Sequence, residues 1–123
     1  MIGYVTLGTN DLARAGAFYD ALLAELNATR VMEMDGFIAW GNSPAGAMIS
    51  VIKPYDKQAA TGGNGTMVAL VADSRATVDR VYKKAMELGA KDEGPAGPRS
   101  ETYYAGYFRD MDGNKLNVFY SGA

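Results

Sequence analysis

Read for alternation and helical spacing, the chain divides into two similar runs. Ile2 to Leu7 is a short apolar stretch containing β-branched residues. After the polar pair Asn10 and Asp11, the residues Leu12, Ala15, Phe18, Tyr19, Leu22, Leu23 and Leu26 recur at helical spacing. Asn10 and Asp11 offer side-chain acceptors to the first free helix N–H groups, so the pattern predicts a helix of about four turns. Three strand-like segments follow, Thr29–Met34, Phe37–Trp40 and Met48–Lys53, with Asp35-Gly36 as a hairpin signal.

Sliding the sequence against itself by 63 residues lays Tyr4-Val5-Thr6-Leu7 on Met67-Val68-Ala69-Leu70 and Tyr19 on Tyr82. In this second run Asp73 or Ser74 caps a helix with the stripe Val78, Val81, Tyr82, Ala85 and Leu88, and Gly89 suits the left-handed position that ends it. Strands are predicted at Ala90–Glu93, Tyr103–Arg109 and Leu116–Tyr120, with Asp112-Gly113-Asn114 turning between the last two. Gly94 to Thr102 reads as a long loop and Pro54 to Gly65 as a linker. The expectation is an α+β chain of two tandem βαβββ modules, residues 1–54 and 66–123 joined by 55–65, forming a single domain over 1–123.

A hydrophobic content of 48% in 123 residues is enough for a core of ordinary size. The formal charge of −2 comes from 12 basic and 14 acidic residues without a run of one sign, which argues against nucleic acid and membrane surfaces as partners. No stretch approaches the roughly 20 apolar residues of a membrane helix, and the first strand begins without a basic leader region, so a cytoplasmic protein is expected. The chain has no cysteine and no histidine. Thiolate chemistry and the commonest biological base and metal ligand are therefore missing.

Three segments carry a further pattern: Tyr4 to Asp11 running into Ala17-Phe18-Tyr19, Met67 to Ala72 running into the second helix, and Phe108-Arg109-Asp110-Met111-Asp112-Gly113-Asn114-Lys115-Leu116-Asn117. Together they resemble the vicinal oxygen chelate superfamily of glyoxalase I, bleomycin-resistance proteins, fosfomycin-resistance enzymes and extradiol dioxygenases. The resemblance implies a curved, cup-like mixed sheet with helices on the outside and a small-molecule site in the hollow. It also implies that His residues opening the first strand of each half, and a Glu just after the Asp-Gly-Asn turn, would hold a metal. Those His positions match Tyr4 and Met67, the Glu position matches Asn117, and its first-half counterpart falls near Ser50. Tyr, Met, Asn and Ser supply no anionic ligand at neutral pH, so no metal and no cofactor is expected. The comparison moves toward the metal-free bleomycin-resistance type, which sequesters a drug between two subunits.

The ligand-facing candidates are Tyr4, Trp40, Ser50, Met67, Arg99, Tyr104, Asn117 and Phe119. Trp40 either floors a pocket or packs under a helix. Alternation sends Tyr104 and Phe108 to one face and Tyr103 and Tyr107 to the other, so one pair borders the cavity or an interface. Arg99, in the loop before that strand, is the cation best shaped to fork to an anion, or else an exposed loop residue. Glu33 and Glu101 are the carboxylates nearest to a catalytic position. The expected function is metal-free binding of a small molecule by a homodimer, whose adhesive surface would be the aromatic strand; the alternative is a lyase- or isomerase-type enzyme using side-chain acid and base groups.

Overall fold

The computed structural model describes residues 1–122. Two compact units divide between Gly62 and Gly63. Unit 1 contains β1 (Tyr4–Gly8), α1 (Leu12–Ala24), β2 (Thr29–Met34), β3 (Phe37–Gly41) and β4 (Met48–Ile52). Unit 2 repeats the series as β5 (Val68–Val71), α2 (Arg75–Glu87), β6 (Lys91–Pro98), β7 (Tyr103–Arg109) and β8 (Lys115–Ser121). Each unit is a βαβββ module with its own mixed four-stranded sheet, ordered β1-β4-β3-β2 and β5-β8-β7-β6.

The helix starts are set by side chains that satisfy free N–H groups. Asp11 accepts from Arg14 N in α1, and Ser74 accepts from Thr77 N in α2. Past the end of α2, Gly89 takes φ +94°, the left-handed conformation that costs glycine nothing. At the last hairpin the Asp110 carboxylate accepts from the backbone N–H groups of Asp112 and Asn114, which fixes the turn that aims β8.

One expected boundary is wrong. Gly94 to Thr102 is not a long loop, because β6 runs on to Pro98. Glycine and proline weaken the strand signal there, yet β6 lies at the edge of its sheet, where a proline without an N–H is tolerated. The ladder accommodates them through register shifts on either side of Gly94.

The strand registers make the repeat exact. Thr6 pairs with Ser50 and Ala69 with Asn117, so Ser50 is the first-half counterpart of Asn117. By the antiparallel pairs, Trp40 corresponds to Phe108, Ile38 to Gly106, and Ala39 to Tyr107. Trp40 and Phe108 are both buried on the helix side of their sheets. Gly106 is small for a reason: a Cβ there would come within 2.9 Å of the Tyr82 ring on α2.

Trp40 is 1% exposed, and its ring packs on Tyr19 at 5.6 Å. A buried indole N–H needs an acceptor, and Asp20 supplies one at 2.8 Å. The same carboxylate accepts a two-pronged bond from Arg30, 2.8 Å on each side, and Arg30 also reaches Glu33. These hydrogen bonds, those from Arg30 foremost, hold the Asp20 carboxyl below its ordinary 3.8. The carboxylate is half-exposed, so the ion pair itself is screened and the indole bond is its main structural service.

A lowered folded pKa gives stability that is complete above the ordinary value and is lost as pH falls below about 4. Urea midpoints measured between pH 3 and 5 should therefore fall more steeply for the wild type than for Asp20→Asn, which keeps an acceptor for the indole. Asp20→Leu strands that N–H and should cost about 1–3 kcal/mol at neutral pH.

Candidate functional site

In each unit the helix covers one face of the sheet, and alternation fixes what lies on the other. In unit 1 that face carries Tyr4 and Thr6 of β1, Met32 and Met34 of β2, Phe37 and Ala39 of β3, and Met48, Ser50 and Ile52 of β4. In unit 2 it carries Tyr103, Ala105 and Tyr107 of β7 with Asn117 and Phe119 of β8.

The matched positions differ in bulk. Unit 2 places Tyr107 beside Asn117, whereas unit 1 places Ala39 beside Ser50. The unit 1 sheet carries a cavity of about 650 Å³, within the range of small-molecule sites. Tyr4, Met32, Met34, Phe37 and Met48 wall it, Ala39 lies in its lining, and Tyr4 meets Phe37 edge to face at 6.1 Å. Methionine walls are flexible and polarisable, so they adapt to ligands of irregular shape. Beyond the strands, Asp35 of the hairpin and Lys53, Tyr55 and Lys57 of the segment after β4 complete the rim.

The eight sequence-derived candidates separate. Tyr4 lines the cavity and is 57% exposed. Ser50 is fully buried next to Ala39 and donates to the Val5 carbonyl at 2.6 Å. Trp40 faces the helix and not the cavity, because alternation puts it opposite to Ala39 and Gly41. Tyr104 is likewise on the helix side, where its hydroxyl donates to Asp79 at 2.7 Å and Arg75 sits over its ring. The pair on the open face is Tyr103 and Tyr107. Met67 immediately precedes β5 and is 41% exposed.

Arg99, Asn117 and Phe119 do come together, through the two tyrosines. Phe119 stacks on Tyr103 at 5.5 Å, Asn117 Nδ2 donates to the Tyr103 hydroxyl at 3.0 Å, and Arg99 lies 5.4 Å from the Tyr107 ring. Burial, opposed in part by the Asn117 bond, raises the Tyr103 phenol above its ordinary value. Arg99 is not held out for an anion: its guanidinium folds back on β6 and donates to the carbonyls of Gly97 and Pro95. Asn117 is fully buried and its Oδ1 has no partner among the described residues. Turning the amide over would exchange which atom is left over without removing the orphan.

The positions that the resemblance assigns to a metal do not fit one. Ser50 is committed to a backbone carbonyl, Asn117 to a phenol, and Tyr4 and Met67 offer a phenol and a thioether. Among the described residues no three His, Cys, Asp or Glu side chains gather into a set that could hold an ion. The carboxylates are also engaged elsewhere: Glu33 with Arg30, and Glu93 with Arg109 at 2.7 Å. Glu101 accepts from Arg75 through its backbone carbonyl. Asp35, exposed on the hairpin, is the one carboxylate in the cavity lining. No helix among the described residues is long and apolar enough to cross a membrane.

Comparison with known proteins agrees with the geometry. The family model described as Glyoxalase/Bleomycin resistance protein/Dioxygenase superfamily matches residues 1–118. A glyoxalase/bleomycin resistance protein from Albidiferax ferrireducens has a similar solved structure, with 32% identity and a TM-score of 0.89 over 97% of this chain and 98% of that one. A putative glyoxalase from Bacillus halodurans superposes with a TM-score of 0.78 at 21% identity, covering 97% and 94% of the two chains. For lactoylglutathione lyase from Agrobacterium tumefaciens the values are 0.68 and 21%, over 97% and 92%. No functionally curated protein matches the sequence.

Elemental analysis of protein purified without chelator should find no stoichiometric Zn, Ni, Mn or Fe. One equivalent of any of these would refute the reading of the donor set.

Proposed function

Because the chain belongs to the glyoxalase/bleomycin resistance protein/dioxygenase superfamily, we propose that it is a metal-free small-molecule-binding protein of the cytoplasm, working as a homodimer, with its ligand held in the cavity over Ala39. The observation that carries the reading is the cavity walled by Tyr4, Met32, Met34, Phe37 and Met48, with Ala39 in its lining where unit 2 has Tyr107. The cavity is walled by aromatic rings and thioethers, which favour an apolar body, and its charged groups, Asp35, Lys53 and Lys57, stand at the rim. A lyase- or isomerase-type activity has weaker support, since Asp35 is exposed and no second carboxylate shares the lining.

Ligand binding raises the melting temperature of a protein by mass action, so a thermal-shift screen of metabolites is the first experiment. Thr6 is an exposed cavity residue on β1, at the sheet edge, and Thr6→Trp should fill the space. The variant should lose the ligand-induced shift while its own stability changes by about 0.5 kcal/mol or less. A retained shift would place the ligand elsewhere.

The homodimer rests on different residues from those expected. β7 is an inner strand with Tyr104 and Phe108 turned to the helix, so it offers no free edge. Exposed apolar side chains on the edge strands are Val31, Met32 and Met34 of β2, Tyr4 of β1 and Val71 of β5. Sedimentation at micromolar concentration should give a dimer, and Met34→Lys should shift it toward monomer. A wild-type monomer across that range would overturn the assembly.

A further inference from the structure

Resting on the cavity of unit 1 as the binding site, we infer that its ligand is an apolar, ring-bearing molecule with one anionic group, which sits at the Lys53–Lys57 end. The cavity lining is chemically divided. Its walls are Met32, Met34, Phe37 and Met48, and its charged groups are Lys53, Lys57 and Asp35. Two cations against one anion leave this rim positive, on a chain whose formal net charge is −2.

Neither lysine has an ion-pair partner among the described residues. Their positions are built into the backbone. The Lys53 N–H donates to the Gly36 carbonyl, and the Lys53 stem lies over the hairpin, its Cβ and Cδ within 3.8 Å of the point where a Gly36 side chain would begin. Lys57 closes a turn onto the Pro54 carbonyl with φ +63°, a conformation uncommon outside glycine. The exposed ring of Tyr55 lies between them in sequence and also lines the cavity.

The type of cation narrows the anion. Lysine ammonium groups are compact charges without the planar fork of arginine, so carboxylate, sulfonate and phosphate oxygens are all acceptable. The apolar walls select against small hydrophilic anions, and stacking surfaces on Tyr4 and Phe37 favour a ring.

Two fluorescent probes of the same ring system test this on the whole chain: anilinonaphthalene sulfonate, which is a monoanion, and phenylnaphthylamine, which is neutral. Both should bind saturably and lose binding in Thr6→Trp. The anion should bind more tightly by about twofold to thirtyfold at low salt, the range of two solvent-exposed ion pairs. That preference should shrink as ionic strength rises. Lys53→Gln with Lys57→Gln should bring the anion down to the affinity of the neutral probe and leave the neutral probe unchanged. Near-ultraviolet circular dichroism of the double variant confirms that it is folded. Equal affinities in the wild type, or an anion preference that survives both substitutions, would overturn the inference while leaving the cavity as the binding site. Saturable binding of neither probe would remove the cavity reading as well.

Discussion

A four-stranded sheet has two faces and each module of this chain supplies one helix, so one face of every sheet is covered by its own module and the other is not. The rest of the structure follows from that imbalance. The covered face takes the large apolar residues at strict alternation: Trp40 and Ile38 under α1, Phe108 and Val118 under α2. What remains on the other face is free to vary, because no helix has to fit against it.

The cost of burying Trp40 is met locally. Its indole N–H would be stranded under α1 without Asp20, and Asp20 would be a lone carboxylate beside the core without the Arg30 fork. Unit 2 needs no such device, since Phe108 at the equivalent position carries no polar atom. It uses its polar pairs at the margins, Tyr82 with Asp92 and Tyr104 with Asp79. Burial and the Asp92 carboxylate push the Tyr82 phenol up to about 12, so it remains a neutral donor.

On the uncovered faces the two modules have diverged within one backbone pattern. Tyr103, Tyr107, Asn117 and Phe119 fill the centre in unit 2 with rings and an amide that has one orphaned oxygen. Unit 1 has alanine and serine at the corresponding centre, and Tyr4, Met32, Met34 and Met48 around it wall a cavity. The positions that the resemblance assigns to metal ligands are occupied in both modules by groups already hydrogen-bonded to their neighbours or lacking charge.

The sequence by itself determined the two modules, because hydrophobic period is a local property: α1, β2 and β7 lie where spacing puts them, and the Asp110 turn is written in consecutive residues. It also determined that Tyr103 and Tyr107 oppose Tyr104 and Phe108, since a strand has only two sides. Which side faces the helix was decided by tertiary packing, and so Trp40 and Tyr104 left the candidate site while Tyr107 entered its unit 2 counterpart. The strand register, a long-range property, identified Ser50 with Asn117 and set Ala39 against Tyr107. Lys53 closed a strand-like segment and Lys57 lay in a segment that reads as linker, and neither carried a motif; only the folded backbone, bonding Lys53 to the hairpin at Gly36, brings their charges to the edge of the cavity.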